Sequence, residues 1–203
     1  MAGIKAVLLD LGNVLVKVNK KMALQEFSRL TGFPVPRLLS FLESKIEKDF
    51  ELGLISTREY IRKVEEFFGV GVKLDVETLF SIWDKCFELD EMVLSIVGGL
   101  NGEVTKGILS NTNSLHIEVV RKKWEIFDNF DYLFFSYEIG YAKPDRRIYQ
   151  FVAEKLGVVP EQVIFIDDLE ENVSSAKEFG FVTHLFENWG KLLNFLRNHG
   201  VIY

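Results

Sequence analysis

Residues 6–15 read AVLLDLGNVL, an apolar run that ends at Asp10 and passes into a loop containing Gly12. A run of this kind predicts a buried strand, and we place the first strand at residues 4–9. In open parallel sheets, ligands bind outside the carboxyl ends of the strands. Asp10 stands at such an end, where it suits a nucleophile or a metal ligand. Taken alone, it suits a turn or helix-cap residue equally well.

Short apolar runs alternate with longer helical patterns from residue 104 onward. Strands are predicted at 104–109, 132–136, 163–166 and 181–186, and helices at 114–123, 146–156, 171–179 and 191–197. Continuous apolar strands separated by helices are typical of a parallel sheet covered on both faces. The pattern therefore predicts an α/β fold with a Rossmann-like parallel core.

The stretch between the first strand and this region is helical almost throughout. Ser56 with Glu59 three residues later predicts a capping box at the start of its third helix. We therefore predict two domains. Residues 1–16 and 96–203 form the α/β core, and residues 17–95 form an all-helical cap domain inserted into it.

Three further polar elements follow predicted strands of the core. They are Ser110-Asn111, Lys143 in the loop after the next strand, and Asp167-Asp168. Transfer of a phosphoryl group needs a nucleophile, hydrogen-bond donors and positive charge for the phosphoryl oxygens. Neighbouring carboxylates also repel one another, which favours a bound cation, and Mg²⁺ suits carboxylate and phosphate oxygens. The absence of a His/Cys ligand cluster argues against zinc. Singly, each element also suits a loop or helix cap.

Composition narrows the possible partners. The 203 residues carry a net charge of −6, which argues against nucleic acid and against an anionic membrane surface. The N-terminal apolar run is too short for a signal peptide or a membrane span. The lone Cys86 excludes an internal disulfide and fits a cytoplasmic protein. His116 is assigned to a helix near the crevice, with a surface position favoured over a contact with substrate.

The order of these elements resembles the haloacid dehalogenase-like (HAD) hydrolase superfamily over the whole chain. Its four motifs correspond to residues 10–14, Ser110, Lys143 and Asp167-Asp168. The inserted helices resemble the family's C1-type cap, and residues 51–56 resemble a cap signature with Glu, Gly and Ile-Ser. The branch with Asp-x-Gly-Asn-Val includes bacterial phosphatases that act on sugar phosphates such as α-D-glucose 1-phosphate.

The resemblance implies a magnesium-dependent phosphoric monoester hydrolase for a small phosphorylated metabolite. Asp10 would be the nucleophile, with an aspartyl-phosphate intermediate. The implied ligands of Mg²⁺ are Asp10, Asp168 and the backbone carbonyl of Gly12. The implied phosphate-binding groups are Ser110, Asn111 and Lys143, of which Lys143 also counts as catalytic, and Asp167 supports the site from behind.

Gly12 departs from the common pattern, in which an Asp at this position protonates the leaving alcohol. Loss of general acid help typically lowers the rate 10²–10⁴-fold. Two alternatives therefore stay open. One is a protein that binds a phosphorylated ligand with little or no turnover. The other is a 2-haloacid dehalogenase-type hydrolase, in which halide leaves unprotonated and no acid is needed.

Overall fold

The computed structural model describes residues 3–69 and 74–202. In chain order, the strands are β1 Ala6–Leu9, β2 Val16–Val18, β3 Phe87–Leu89, β4 Thr105–Ser110, β5 Tyr132–Phe135, β6 Val163–Asp167 and β7 Val182–Leu185. Five of them form one sheet in the order β5-β4-β1-β6-β7, and every neighbouring pair is parallel. The predicted parallel α/β core is confirmed.

Strand β1 is the third of the five strands in this sheet, and its four apolar residues are buried on both faces. Its last residue, Leu9, pairs with Ile108 of β4 and Ile166 of β6. The three strands therefore end at nearly the same level. This register brings the residues that follow β1, β4 and β6 to one edge of the sheet.

Eleven α-helices of the described chain surround the two sheets. They are α1 Lys20–Thr31, α2 Val35–Leu42, α3 Lys45–Glu51, α4 Thr57–Phe68, α5 Val76–Cys86, α6 Glu91–Gly98, α7 Ser114–Lys123, α8 Ser136–Ile139, α9 Arg146–Leu156, α10 Glu170–Phe179 and α11 Trp189–Asn198. Side chains of α6, α7 and α11 pack on one face of the large sheet, against Val7 and Leu9. Side chains of α9 and α10 pack on the other face, against Ala6 and Leu8. The alternation of strand side chains thus divides the core into two layers. Within the described residues, no helix is long and apolar enough to cross a membrane.

Helices α1 to α5 lie between β2 and β3, two short strands that pair antiparallel. Four of these helices share a core that includes Phe41, Phe50, Tyr60 and Leu79. The capping box of Ser56 and Glu59 is present as predicted, but it begins α4, the fourth helix of the insertion and not the third.

The expectation of an all-helical insertion at residues 17–95 needs one correction. The segment also contains most of β2 and all of β3, so that Phe87 begins a strand where a helix was expected. Strands of three residues are too short to show a period in the sequence. The limits of the two domains stay a prediction.

Candidate active site

Asp10 directly follows the central strand and is held by backbone groups on both sides. Its N–H donates to the carbonyl of Ile166 at 2.8 Å, and its Oδ1 accepts from the N–H of Leu11 at 2.7 Å. Burial raises the pKa of Asp10 to about 6; the charge of Lys143 and the Ser110 hydroxyl oppose this rise, and Asp167 adds to it. The carboxyl is therefore fixed in direction and destabilised in its charged form, so that it favours a cationic neighbour.

Lys143 supplies that positive charge from a fully buried side chain. Its Nζ lies 2.6 Å from Oδ2 of Asp167 and 3.1 Å from Oδ1 of Asp10, and it donates to the carbonyl of Leu109 at 2.9 Å. Burial alone would lower the pKa of Lys143, but the two carboxylates raise it. The ammonium group thus uses all three donors and stays charged.

The loop that carries Lys143 is tied to the end of β4. Asn111 donates from Nδ2 to the carbonyl of Lys143 at 2.7 Å and accepts from its N–H at 2.8 Å. The side chain of Asn111 is therefore committed to positioning Lys143. Its backbone N–H makes no hydrogen bond within the described residues, and it is the group of Asn111 that remains open to a ligand.

The two adjacent aspartates differ in their surroundings. Asp167 has no exposed surface, and it accepts from Lys143, from the N–H of Leu169 at 2.8 Å and from the side-chain amide of Asn172 at 3.1 Å. Asp168 lines the cavity and accepts from Nδ2 of Asn13 at 3.0 Å. Asp167 thus supports Lys143 from behind, whereas Asp168 faces the site.

Asp10, Asp167 and Asp168 each place one carboxylate oxygen within 4.8 Å of an oxygen of the other two. Gly12 lines the same cavity, and its carbonyl accepts no hydrogen bond from the described residues. A set of hard oxygen donors is what Mg²⁺ prefers, and a cation would relieve the repulsion between the carboxylates. Because Asp167 is already saturated by other donors, Asp10, Asp168 and the Gly12 carbonyl are the groups that fit the ion.

These groups form the floor of a cavity of about 410 Å³ between the sheet edge and helices α1, α3 and α5. Of the residues expected at the site, Asp10, Gly12, Ser110, Asn111, Lys143 and Asp168 all line it. Asp167 alone lies behind the wall. The structure thus brings together residues from positions 10 to 168 of the chain.

The expected surface position of His116 is wrong. Its ring lies in the cavity wall, 4.2 Å from the ring of Trp83 and 5.6 Å from that of Phe87, measured between centroids. Burial lowers the pKa of His116 to about 4, so the imidazole is neutral near pH 7. The contacts that enclose it come from α5 and β3, which are distant in sequence.

Three other site residues were not recognised from the sequence pattern. Asn13 has a φ of 55° and connects the site to β2: it donates to Asp168, and its Oδ1 accepts from the N–H of Val18 at 3.2 Å. Asn tolerates this left-handed conformation better than most residues, so Gly12-Asn13 after a strand was a usable signal. Glu47 and Glu51 of α3 also line the cavity, and only the resemblance of residues 51–56 pointed to one of them.

Comparisons with known proteins agree with this architecture. Residues 4–180 match the model of the haloacid dehalogenase-like hydrolases. The chain belongs to this hydrolase family. The hydrolase is 29% identical to D-ribitol-5-phosphate phosphatase of Bacteroides thetaiotaomicron, and the alignment covers 96% of the chain and 99% of the relative.

Solved structures extend the comparison. The hydrolase is similar to a HAD family enzyme from Bacteroides thetaiotaomicron solved with magnesium and inorganic phosphate, with a TM-score of 0.82 and 28% identity over 94% of this chain and 99% of that one. It also shares its fold with L-2-haloacid dehalogenase from Xanthobacter autotrophicus, with a TM-score of 0.61 and 20% identity over 89% and 76% of the two chains. That second likeness concerns the fold alone.

Proposed function

We propose that this hydrolase is a magnesium-dependent phosphatase for a small phosphorylated metabolite of the sugar phosphate class. The observation that carries the proposal is the meeting of Asp10, Asp168 and Lys143 on the floor of one cavity. The similar enzymes from Bacteroides thetaiotaomicron support it, since one is a phosphatase of a phosphorylated sugar alcohol and one was solved with magnesium and phosphate.

In the proposed reaction, the Asp10 carboxylate attacks phosphorus and the bond to the ester oxygen breaks; this oxygen takes a proton from water, since position 12 carries no acid, and the alcohol leaves. Water then attacks the aspartyl-phosphate at phosphorus, which releases inorganic phosphate and the Asp10 carboxylate. The Ser110 hydroxyl and the backbone N–H of Asn111 donate to the phosphoryl oxygens, and Lys143 binds them through its positive charge. Asp10, Asp168 and the carbonyl of Gly12 would hold Mg²⁺, which when bound offsets the negative charge of the phosphate and the carboxylates. Asp167 keeps Lys143 in place.

The division of the chain is part of the proposal. Residues 1–16 and 96–203 act as the catalytic core, and residues 17–95 act as a cap that covers the reacting groups. Side chains of α1, α3 and α5 line the cavity, which supports this assignment. A cover of this kind separates the cavity from bulk water and selects the substrate.

The carbon–halogen alternative fits the site less well. Displacement of halide has no use for a metal ion, whereas Asp168 adds a third carboxylate beside the two that Lys143 contacts, and this excess of negative charge favours a further cation. The alternative of binding with little turnover rests on Gly12, because glycine cannot protonate the leaving alcohol.

One assay separates these functions. The protein is incubated with p-nitrophenyl phosphate with and without Mg²⁺, beside Asp10→Asn, and with 2-haloacids without added metal. Turnover of the phosphate ester that needs Mg²⁺ and is lost in Asp10→Asn is expected. Binding of phosphate without turnover of any ester would favour the non-catalytic function, and release of halide would favour the dehalogenase.

A further inference from the structure

Two carboxyl groups face the cavity from the cap side, where most of the wall is apolar. Glu47 and Glu51 lie one turn apart on α3, and aromatic side chains such as Trp83 and Phe27 line the same cavity. Burial raises the pKa of both carboxyls, to about 7 for Glu47. Glu47 accepts a hydrogen bond from the hydroxyl of Tyr60, whereas a carboxylate of Glu51 in such a wall is unfavourable unless a ligand donates hydrogen bonds to it.

Glu51 is held at a defined place above the floor. Its backbone carbonyl lies 2.8 Å from Oγ of Ser136, at the start of α8 in the core. Two residues later, Gly53 has a φ of 67°, and a Cβ atom there would lie 2.0 Å from the carbonyl oxygen of Tyr137. The cap and the core are therefore in close backbone contact beside Glu51. The carboxyl of Glu51 itself has no hydrogen-bond partner among residues 3–69 and 74–202.

His116 adds a donor to the same cavity. Oδ1 of Asn113 accepts from the N–H of His116 at 3.0 Å, which leaves the Nδ2 of Asn113 facing the Nδ1 of His116 at 3.4 Å. Because an amide nitrogen only donates, Nδ1 must accept, and the proton of the neutral ring lies on Nε2. Nε2 has no hydrogen-bond partner in the described part of the chain.

We propose that Glu51, assisted by Glu47 and His116, binds hydroxyl groups of the leaving group, so that the substrate is the monophosphate of a neutral polyhydroxylated molecule. The proposal rests on the phosphatase function and names its substrate class. A hydroxyl donates to a carboxylate and accepts from an imidazole N–H, and the C–H faces of a sugar or sugar alcohol pack on aromatic rings such as Trp83.

The charges of the cavity also exclude a second anionic group on the substrate. Of the described residues that line it, Lys143 and the exposed Lys20 are the cations, and Lys143 is already engaged by Asp10 and Asp167. A carboxylate or second phosphate at the cap end would meet Glu47 and Glu51 while His116 stays neutral. The volume of about 410 Å³ is near the lower end for ligand pockets and suits a small sugar monophosphate.

Three matched probes test the proposal: ribitol 5-phosphate, n-pentyl phosphate, which lacks the hydroxyls, and 5-phosphoribonate, which ends in a carboxylate. We expect wild-type kcat/KM for ribitol 5-phosphate to exceed that for either other probe at least about 100-fold, since sites built for hydroxyls reject analogues without them. In Glu51→Leu, the preference over pentyl phosphate should fall at least about ten-fold. In Glu51→Gln, whose amide still accepts a hydrogen bond, that preference should fall less, but discrimination against 5-phosphoribonate should fall about ten-fold.

Glu43→Gln is the control, because Glu43 is exposed in the same part of the chain. The inference is overturned if all three kcat/KM values fall by one common factor in both Glu51 variants. It is also overturned if the wild-type kcat/KM for pentyl phosphate equals that for ribitol 5-phosphate. If wild type hydrolyses neither p-nitrophenyl phosphate nor any of the three probes, the phosphatase function is overturned instead. Thermal melting of each variant identifies a loss caused by unfolding.

Discussion

Replacement of Glu47 by Gln measures what a carboxyl group in the cavity wall costs the folded protein. Burial raises the pKa of Glu47 from 4.5 to about 7; the hydroxyl of Tyr60 opposes the rise by donating to Oε1, and Glu51 adds to it. The carbonyl of Gln accepts the same hydrogen bond from Tyr60. The substitution therefore removes the ionisation and keeps the contact.

The size of the effect follows from linkage between ionisation and folding. Below pH 4.5 the carboxyl is neutral in the folded and unfolded states, so its ionisation does not change the free energy of unfolding. As the pH rises to about 7, the unfolded chain ionises first, so the folded state loses stability relative to it. Above pH 7 this loss is complete and amounts to about 3 kcal/mol, at about 1.4 kcal/mol for each pKa unit.

We therefore expect Glu47→Gln to match wild type near pH 4 and to exceed its free energy of unfolding by about 3 kcal/mol at pH 8. Urea denaturation of both proteins at several pH values, followed by circular dichroism, gives this difference. The other titrating groups are common to both proteins, and those that do not interact with Glu47 cancel. The exposed Glu43→Gln should show no such trend. A difference between Glu47→Gln and wild type that is the same at pH 4 and pH 8 would refute the reasoning.

Three further predictions concern the floor of the site and the cap. Gly12→Asp should raise kcat for alkyl phosphates by about 10²-fold and for p-nitrophenyl phosphate much less, because only poor leaving groups need an acid; an equal rise for both would contradict this. Lys143→Ala should lower kcat/KM for p-nitrophenyl phosphate more than Ser110→Ala does, since it removes a positive charge whereas Ser110→Ala removes a neutral donor; equal losses would argue against an electrostatic role of Lys143 at the phosphate. Gly53→Ala should lower the free energy of unfolding by at least about 2 kcal/mol, because of its positive φ and its close backbone contact; chemical denaturation checks this, and an unchanged value would contradict the described contact.

The strands and helices of the core could be predicted from the sequence because the pattern that specifies each of them lies within one short stretch of residues. The strand run 163–166 is continuously apolar, and the helices at 114–123 and 146–156 are observed with the predicted limits. In a parallel sheet, residues that follow the strands meet at one edge. This rule alone was enough to bring Asp10, Ser110 and Asp167-Asp168 together.

The cap side of the cavity was decided only by tertiary structure. The position of Glu51 depends on a contact with Ser136, and the burial of His116 depends on Trp83 and Phe87. These contacts join segments more than 25 residues apart, and the periodicity of neighbouring residues cannot predict them. Local sequence determined which residues form strands, helices and strand ends, because propensity and side-chain alternation act between near neighbours. Packing of the helices across the sheet edge decided which carboxyls and which imidazole face the substrate, because burial is a property of the whole fold.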